Sequence, residues 1–176
     1  MSRKRTSTPQ PKRLSHVASD GSARMVDVSN KTATAREAVA AGRIWMSREA
    51  ARIARSGTGR KGDAVQTARL AGIMAAKRTA EVIPLCHPLQ LTHVEVQIDS
   101  RSDGFDIRSR VRTIGQTGVE MEALTAVSVA ALTLYDMIKA VDRTMEIGAV
   151  RLLEKRGGRS GEFVRPAKAG LHRQRR

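Results

Sequence analysis

Apolar residues recur over 118–143 at alternating three- and four-residue spacing, at Leu124, Val127, Ala131, Leu134, Ile138 and Val141. That period predicts one long amphipathic helix. Upstream, Leu91–Asp99 alternates, with Thr92, Val94, Val96 and Ile98 on one face and His93, Glu95, Gln97 and Asp99 on the other. Phe105–Thr113 alternates again beyond the turn Ser102–Asp103–Gly104, so the two runs predict a hairpin. Asp63 is an N-cap for a helix over Ala64–Val82, whose packing stripe is Val65, Ala68, Ala71/Gly72, Ala75/Ala76 and Thr79. Small residues in that stripe allow a neighbour to approach closely, and Pro84 stops the helix.

The remaining segments are shorter. Ser47 caps a helix over Arg48–Arg55 that Ser56–Gly57 ends. Thr34–Met46 admits either state, because its alanines and arginines favour helix while Val39, Ile44 and Trp45 near Gly42 allow a strand; we read it as strand. Met25–Ser29 is a brief alternation expected to be an entry strand, and Ile147–Leu153 is expected to be the last strand. Setting the entry elements aside leaves strand–helix–strand–strand–helix–strand. That order predicts an α+β fold, a ferredoxin-like split βαβ sandwich with both helices on one face of an antiparallel sheet.

Composition narrows this picture. A chain of 176 residues suits one domain. Aromatic residues make up 2%, so the core must be built from Ala, Val, Leu, Ile and Met. The single cysteine, Cys86, excludes an internal disulfide framework and fits a reducing compartment. With no run reading as a signal peptide or a membrane span of about 20 residues, the expected location is the cytoplasm. The formal charge of +15 is concentrated at the ends: residues 1–24 and residues 164–176 each carry +5. Both are poor in large apolar residues and are expected to be disordered basic tails. The domain proper is then 25–163, and its own +5 gives no reason to expect a specific nucleic-acid partner.

Several segments carry candidate chemistry. Gly57–Gly62 fits GxGxxG on paper, but the segment before it reads as an Arg-rich helix, not a buried strand, and Asp63–Ala64 stand where a P-loop needs Lys–Ser/Thr. What remains is Arg60 and Lys61 beside a helix N-terminus, where exposed N–H groups attract anions. Pro84 and Pro88 bracket an apolar turn carrying Cys86 and His87. No second pair with zinc spacing accompanies them, so no metal site is expected. Thr117 and Glu120 fit a capping box, which leaves Glu122 as the freer acid. Asp136 and Lys139, three apart, share a helical face, and the Tyr135, Met137 and Ile138 around them suggest partial burial. Lys155, Arg156 and Arg159 lie in a second basic glycine-rich segment. Such an inventory suits acid–base chemistry on a phosphorylated molecule. Glu122 and Asp136 lie about 21 Å apart along the helix axis, so a site using both ends would need two subunits.

These segments, in this order, resemble the cyclic pyranopterin monophosphate synthase family, accessory lyases of molybdenum cofactor biosynthesis. The resemblance rests on MVDVSNK (25–31), KGD (61–63), AGIMAAKRT (71–79), IPLCHPL (83–89), TGVEMEALTA (117–126), LYDMIKA (134–140) and the RLLEK–GG–SG stretch from Arg151. It implies a ferredoxin-like subunit in a homohexamer, a trimer of dimers with sites between subunits. It implies conversion of 3′,8-cyclo-7,8-dihydro-GTP to cyclic pyranopterin monophosphate and diphosphate. Asp136 matches the family's acid–base residue, with Lys139 beside it, and Lys61 and Lys155 match its important lysines. Leu85, Cys86 and His87 match the substrate-binding turn, and Met121 and Glu122 a second binding segment. No cofactor is implied, and Mg²⁺ accompanying the substrate phosphates is left open. The competing reading is a basic ferredoxin-like nucleic-acid-binding module. Such sheets stack bases on aromatic side chains, and this hairpin offers only Phe105.

Overall fold

In the computed structural model, residues 20–57, 62–159 and 161–166 are described. Arg60 and Lys61 lie outside them, as does most of both expected tails. The elements are β1 (Thr34–Trp45), α1 (Arg48–Ser56), α2 (Ala64–Lys77), α3 (Thr79–Val82), β2 (Leu91–Arg101), β3 (Gly104–Gly115), α4 (Glu120–Ile138), β4 (Glu146–Arg156) and β5 (Phe163–Val164). They build a five-stranded sheet of order β2-β3-β1-β4-β5, antiparallel at every pairing. This is the α+β, ferredoxin-like split βαβ arrangement.

The ambiguous segment is the strand at the sheet's centre. β1 pairs along its length with β3 and with β4, so two ladders of hydrogen bonds override its alanine-rich helix propensity. Its alternate residues Ala38, Ala40 and Ile44 join Val96, Ile98, Phe105, Ile107 and Val111 beneath the helices. α4 lays Ala123, Ala126, Val127, Ala130, Ala131, Leu134 and Ile138 on that face, all nearly inaccessible. Burying one such leucine contributes about 2 kcal/mol. Within the core, the Ser109 hydroxyl donates to the Ala123 carbonyl at 2.7 Å and fastens α4 to β3.

Small residues let α2 lie against α4. A Cβ on Gly72 would stand 2.8 Å from the Ala126 carbonyl oxygen and 3.3 Å from the Ala130 Cβ. The expected caps form: the Ser47 hydroxyl accepts from the Ala50 amide, and the Asp63 carboxylate from Val65 and Gln66. Caps of this kind contribute about 1 kcal/mol each.

Some expectations are overturned. Met25–Ser29 is not a strand; the Asp27 carboxylate accepts from the Ser29 amide and bends the segment into a turn. The helix expected over 64–82 breaks at Arg78, whose amide bonds back to the Ala75 carbonyl. α4 ends at Ile138, about five residues early, because the Asp142 carboxylate takes hydrogen bonds from the Ser47 and Thr144 amides and draws the chain away. Val141 is therefore 44% exposed and leaves the buried stripe. α4 is also long and apolar enough, at 19 residues, to meet the simplest test for a membrane span. No such run was expected from the sequence; the helix packs its buried residues on the core. β5 was not foreseen; it extends the sheet beside β4.

β4 carries two register shifts against β1. One places Ala149 at φ 52°, in the left-handed region, with its side chain exposed. An L-residue there costs about 1–2 kcal/mol. Ala149→Gly is expected to raise stability by about 0.5–1 kcal/mol after the glycine's unfolded-state entropy is counted, and Gly72→Ala to lower it by about 1–3 kcal/mol through overpacking. Urea unfolding of both variants beside the parent protein checks the pair.

Candidate active site

Two adjoining cavities open where β1 begins, β3 runs into α4 and β4 ends. The first, about 690 Å³, is basic and is walled by Lys31, Arg36, Lys155, Arg156 and Arg159, with Glu37 and Glu120 as its acids. The second, about 570 Å³, is largely apolar and is lined by Val26, Val28, Ile83, Leu85, Cys86, His87 and Met121. Lys31, Thr117, Gly118 and Glu120 line both and form the waist between them.

Backbone contacts preset the basic lobe. The Arg36 guanidinium donates to the carbonyls of Gly115 and Gln116 at 2.8 and 3.0 Å, which holds its plane at the mouth of β1. Glu37 is clamped by Arg110 and Arg112. Burial pushes its carboxyl up, but the hydrogen bonds from Arg112 and Arg110 outweigh that and hold it below its ordinary value. Lys155 Nζ lies 3.5 Å from the Glu120 carboxylate. The expected capping box is thus absent: Val119 is the N-cap, with no side-chain hydrogen bond, and Glu120 turns to Lys155 instead. A Cβ on Gly118 would overlap the Glu120 carboxylate and displace it from this position.

In the apolar lobe the IPLCHP turn behaves as its prolines suggest. The His87 ring donates from Nε2 to the Val26 carbonyl at 2.7 Å, which leaves Nδ1 as an acceptor. Behind the lobe, the Cys86 thiol donates to Glu122 Oε1 at 3.5 Å. Glu122 is 2% exposed, and its Oε2 has no hydrogen-bond partner among the described residues. Burial pushes the Glu122 carboxyl above its ordinary value, and burial together with Glu122 pushes the Cys86 thiol up to about 11. The thiol is therefore protonated and a poor nucleophile at neutral pH.

The structure thus gathers Leu85, Cys86, His87, Met121 and Lys155 around the cavities and places Glu122 directly behind Cys86, lining neither lobe. Asp136 and Lys139 are elsewhere, paired at 2.7 Å at the far end of α4 and more than half exposed, not partly buried as their apolar neighbours suggested. Lys61 lies outside the described residues. Lys31, Arg36 and Glu120 were not singled out as site residues from the sequence. Glu120 carried a competing capping signal; Arg36 lies inside a strand and carried none. Among the described residues no group of three or more His, Cys, Asp or Glu is arranged to hold a metal ion.

This geometry belongs to a chain with many close relatives. A Roseiflexus castenholzii protein named cyclic pyranopterin monophosphate synthase is 60% identical over 153 residues, covering 86% of this chain and 97% of its own. Proteins of the same name from Chloroflexus aurantiacus and Heliobacterium modesticaldum are 59% and 58% identical and cover 95% and 97% of their own lengths. Residues 25–158 match the MoaC family along nearly the whole folded region. The chain belongs to the MoaC family.

Proposed function

We propose that this enzyme converts 3′,8-cyclo-7,8-dihydro-GTP into cyclic pyranopterin monophosphate and diphosphate, a lyase step of molybdenum cofactor biosynthesis. The observation that carries the reading is the two-lobed cavity, in which an apolar lobe adjoins a basic one across shared lining residues. A nucleotide-derived substrate has that polarity: a flat ring system at one end and a triphosphate at the other. Val26, Val28, Ile83, Leu85 and Met121 hold the ring, and His87 Nδ1 accepts a hydrogen bond from it. Arg36, Lys155, Arg156 and Arg159 neutralise the phosphates and the departing diphosphate. Lys61, placed by its motif alone, joins them.

Opening the purine-derived ring and closing the pterin require several proton transfers. We assign these to Asp136, with Lys139 keeping it ionised or donating in turn. In one subunit that pair lies a helix length away from the chamber, so the working site takes Asp136 and Lys139 from a neighbour. The supporting observations are the exposure of the Asp136–Lys139 pair and of Leu70, Met74 and Leu132 on the helical layer. The proposed assembly is a homohexamer, a trimer of dimers, in the cytoplasm. No resident cofactor is proposed, and Mg²⁺ enters only with the substrate phosphates.

Incubation with 3′,8-cyclo-7,8-dihydro-GTP is expected to yield pyranopterin and diphosphate in equal amounts, and release of neither would overturn the reading. Asp136→Ala is expected to bind substrate but lose at least about 10³-fold in kcat, in line with general acid–base contributions. His87→Ala is expected to be nearly inactive as well. Dissociating and reassembling the two variants together should recover up to about a quarter of parental activity, because mixed interfaces hold one intact site. Recovery no greater than the sum of the two separate variants would place each whole site within one subunit.

Glu122 adds a pH dependence. Its folded-state pKa lies above its unfolded value, so its neutral form favours the fold below about pH 4.5 and that contribution is lost as pH rises through the folded pKa. Glu122→Gln is expected to gain in Tm relative to the parent protein as pH is raised from 4 to 8, read by calorimetry in matched buffers. A difference independent of pH would show that Glu122 is not held neutral.

A further inference from the structure

The waist between the lobes holds a cation whose purpose the fold does not explain. Lys31 is partly buried and lines both cavities, yet its ammonium makes no ion pair or hydrogen bond among the described residues. Two neighbouring cations of the basic lobe are tied down, Lys155 to Glu120 and Arg36 to two backbone carbonyls. The segment carrying Lys31 is nevertheless fixed from several sides. The Asp27 carboxylate accepts from the Ser29 amide and hydroxyl at 2.9 and 2.7 Å. The Lys31 amide bonds to the Val28 carbonyl at 2.9 Å, His87 donates to the Val26 carbonyl, and the Gln116 side-chain amide donates to the Ser29 carbonyl at 3.4 Å. A positive charge set in place by such scaffolding, with no ion-pair partner among the described residues, is organised for an anion that arrives with the ligand.

The geometry points to Lys31 as a catalytic residue for closure of the cyclic phosphate, contacting the substrate's α-phosphate. This inference rests on the function proposed above. With the ring in the apolar lobe and the terminal phosphates in the basic lobe, the α-phosphate must pass through the waist. Making a cyclic monophosphate requires a sugar-derived hydroxyl oxygen to bond to the α-phosphorus while the bond to the oxygen bridging to the β-phosphate breaks. Diphosphate leaves with that electron pair, and the hydroxyl proton passes to Glu120, the one carboxylate among the described residues that lines both lobes. Negative charge grows on the non-bridging α-oxygens in that step, beside Lys31.

The test compares the parent protein, Lys31→Ala and Lys31→Arg on the cyclic dihydro-GTP and on its α-phosphorothioate, with thermal unfolding as a check on folding. Failure of the parent protein to release diphosphate would sink the proposed function itself. Given parental turnover, Lys31→Ala is expected to lose about 10²-fold in kcat with KM changed by less than about fivefold. Lys31→Arg should retain an intermediate rate, and added methylammonium should restore part of the loss in Lys31→Ala. Sulfur at the α-position should slow the parent protein more than Lys31→Ala, because only the parent has the contact to lose. A folded Lys31→Ala with kcat within threefold of parental, or a loss confined to KM, or equal sulfur effects in both proteins, would overturn the assignment.

Discussion

The close seating of α4 on the sheet and against α2 is the constraint on which the rest depends. It is possible because Ala123, Ala126 and Ala130 meet the Gly72 face of α2 and the Ser109 face of β3 with almost no side chain between them. Close-packed backbones cannot slide without opening voids or forcing overlaps, so the height of α4 above the strands is fixed. With it is fixed the position of its first turn. Glu120 then falls between the ends of β1, β3 and β4, within reach of Lys155, while Glu122 falls inward behind Cys86. A looser interface of large flexible side chains would leave both acids without a defined place.

The two acids, one residue on either side of Met121, show how position within a helical turn decides chemistry. Glu120 lines both cavities beside a lysine and is its ion-pair partner. Glu122 is enclosed by apolar atoms and a thiol, and desolvation penalises its charged form. The same residue type thus meets a lysine at a cavity wall on one side of the helix and an enclosed setting that disfavours its charge on the other. The sheet meanwhile supplies most of the fixed cations, because the start of β1, the end of β4 and the loop before β1 converge at one edge of the molecule.

Much of this was legible in the chain. Alternation in Leu91–Asp99 and Phe105–Thr113 announced the hairpin, since a strand with one buried face must alternate. The caps at Ser47 and Asp63 were readable because a side-chain oxygen before an apolar-periodic run has one favourable use. The turn holding Leu85, Cys86 and His87 was readable because two prolines restrict it. Local patterns failed where distant contacts decided the outcome. Glu120 fits a capping box and yet bonds to Lys155, 35 residues later. Met25–Ser29 alternates like a strand but bends at the Asp27 turn and is held by His87 and Gln116.

By itself, then, the sequence determined the order of elements, the fold class, the family and the stock of chemical groups, because periodicity, capping and long specific motifs are local properties. Only the tertiary structure decided that β1 would be the central strand, that Arg36 and Lys31 would join the cavities, and that Glu122 would stand behind the chamber instead of lining it. The physical reason is the same in each case. Burial, ion pairing and the shape of a cavity arise between residues far apart in the chain, and no window along the sequence contains both partners.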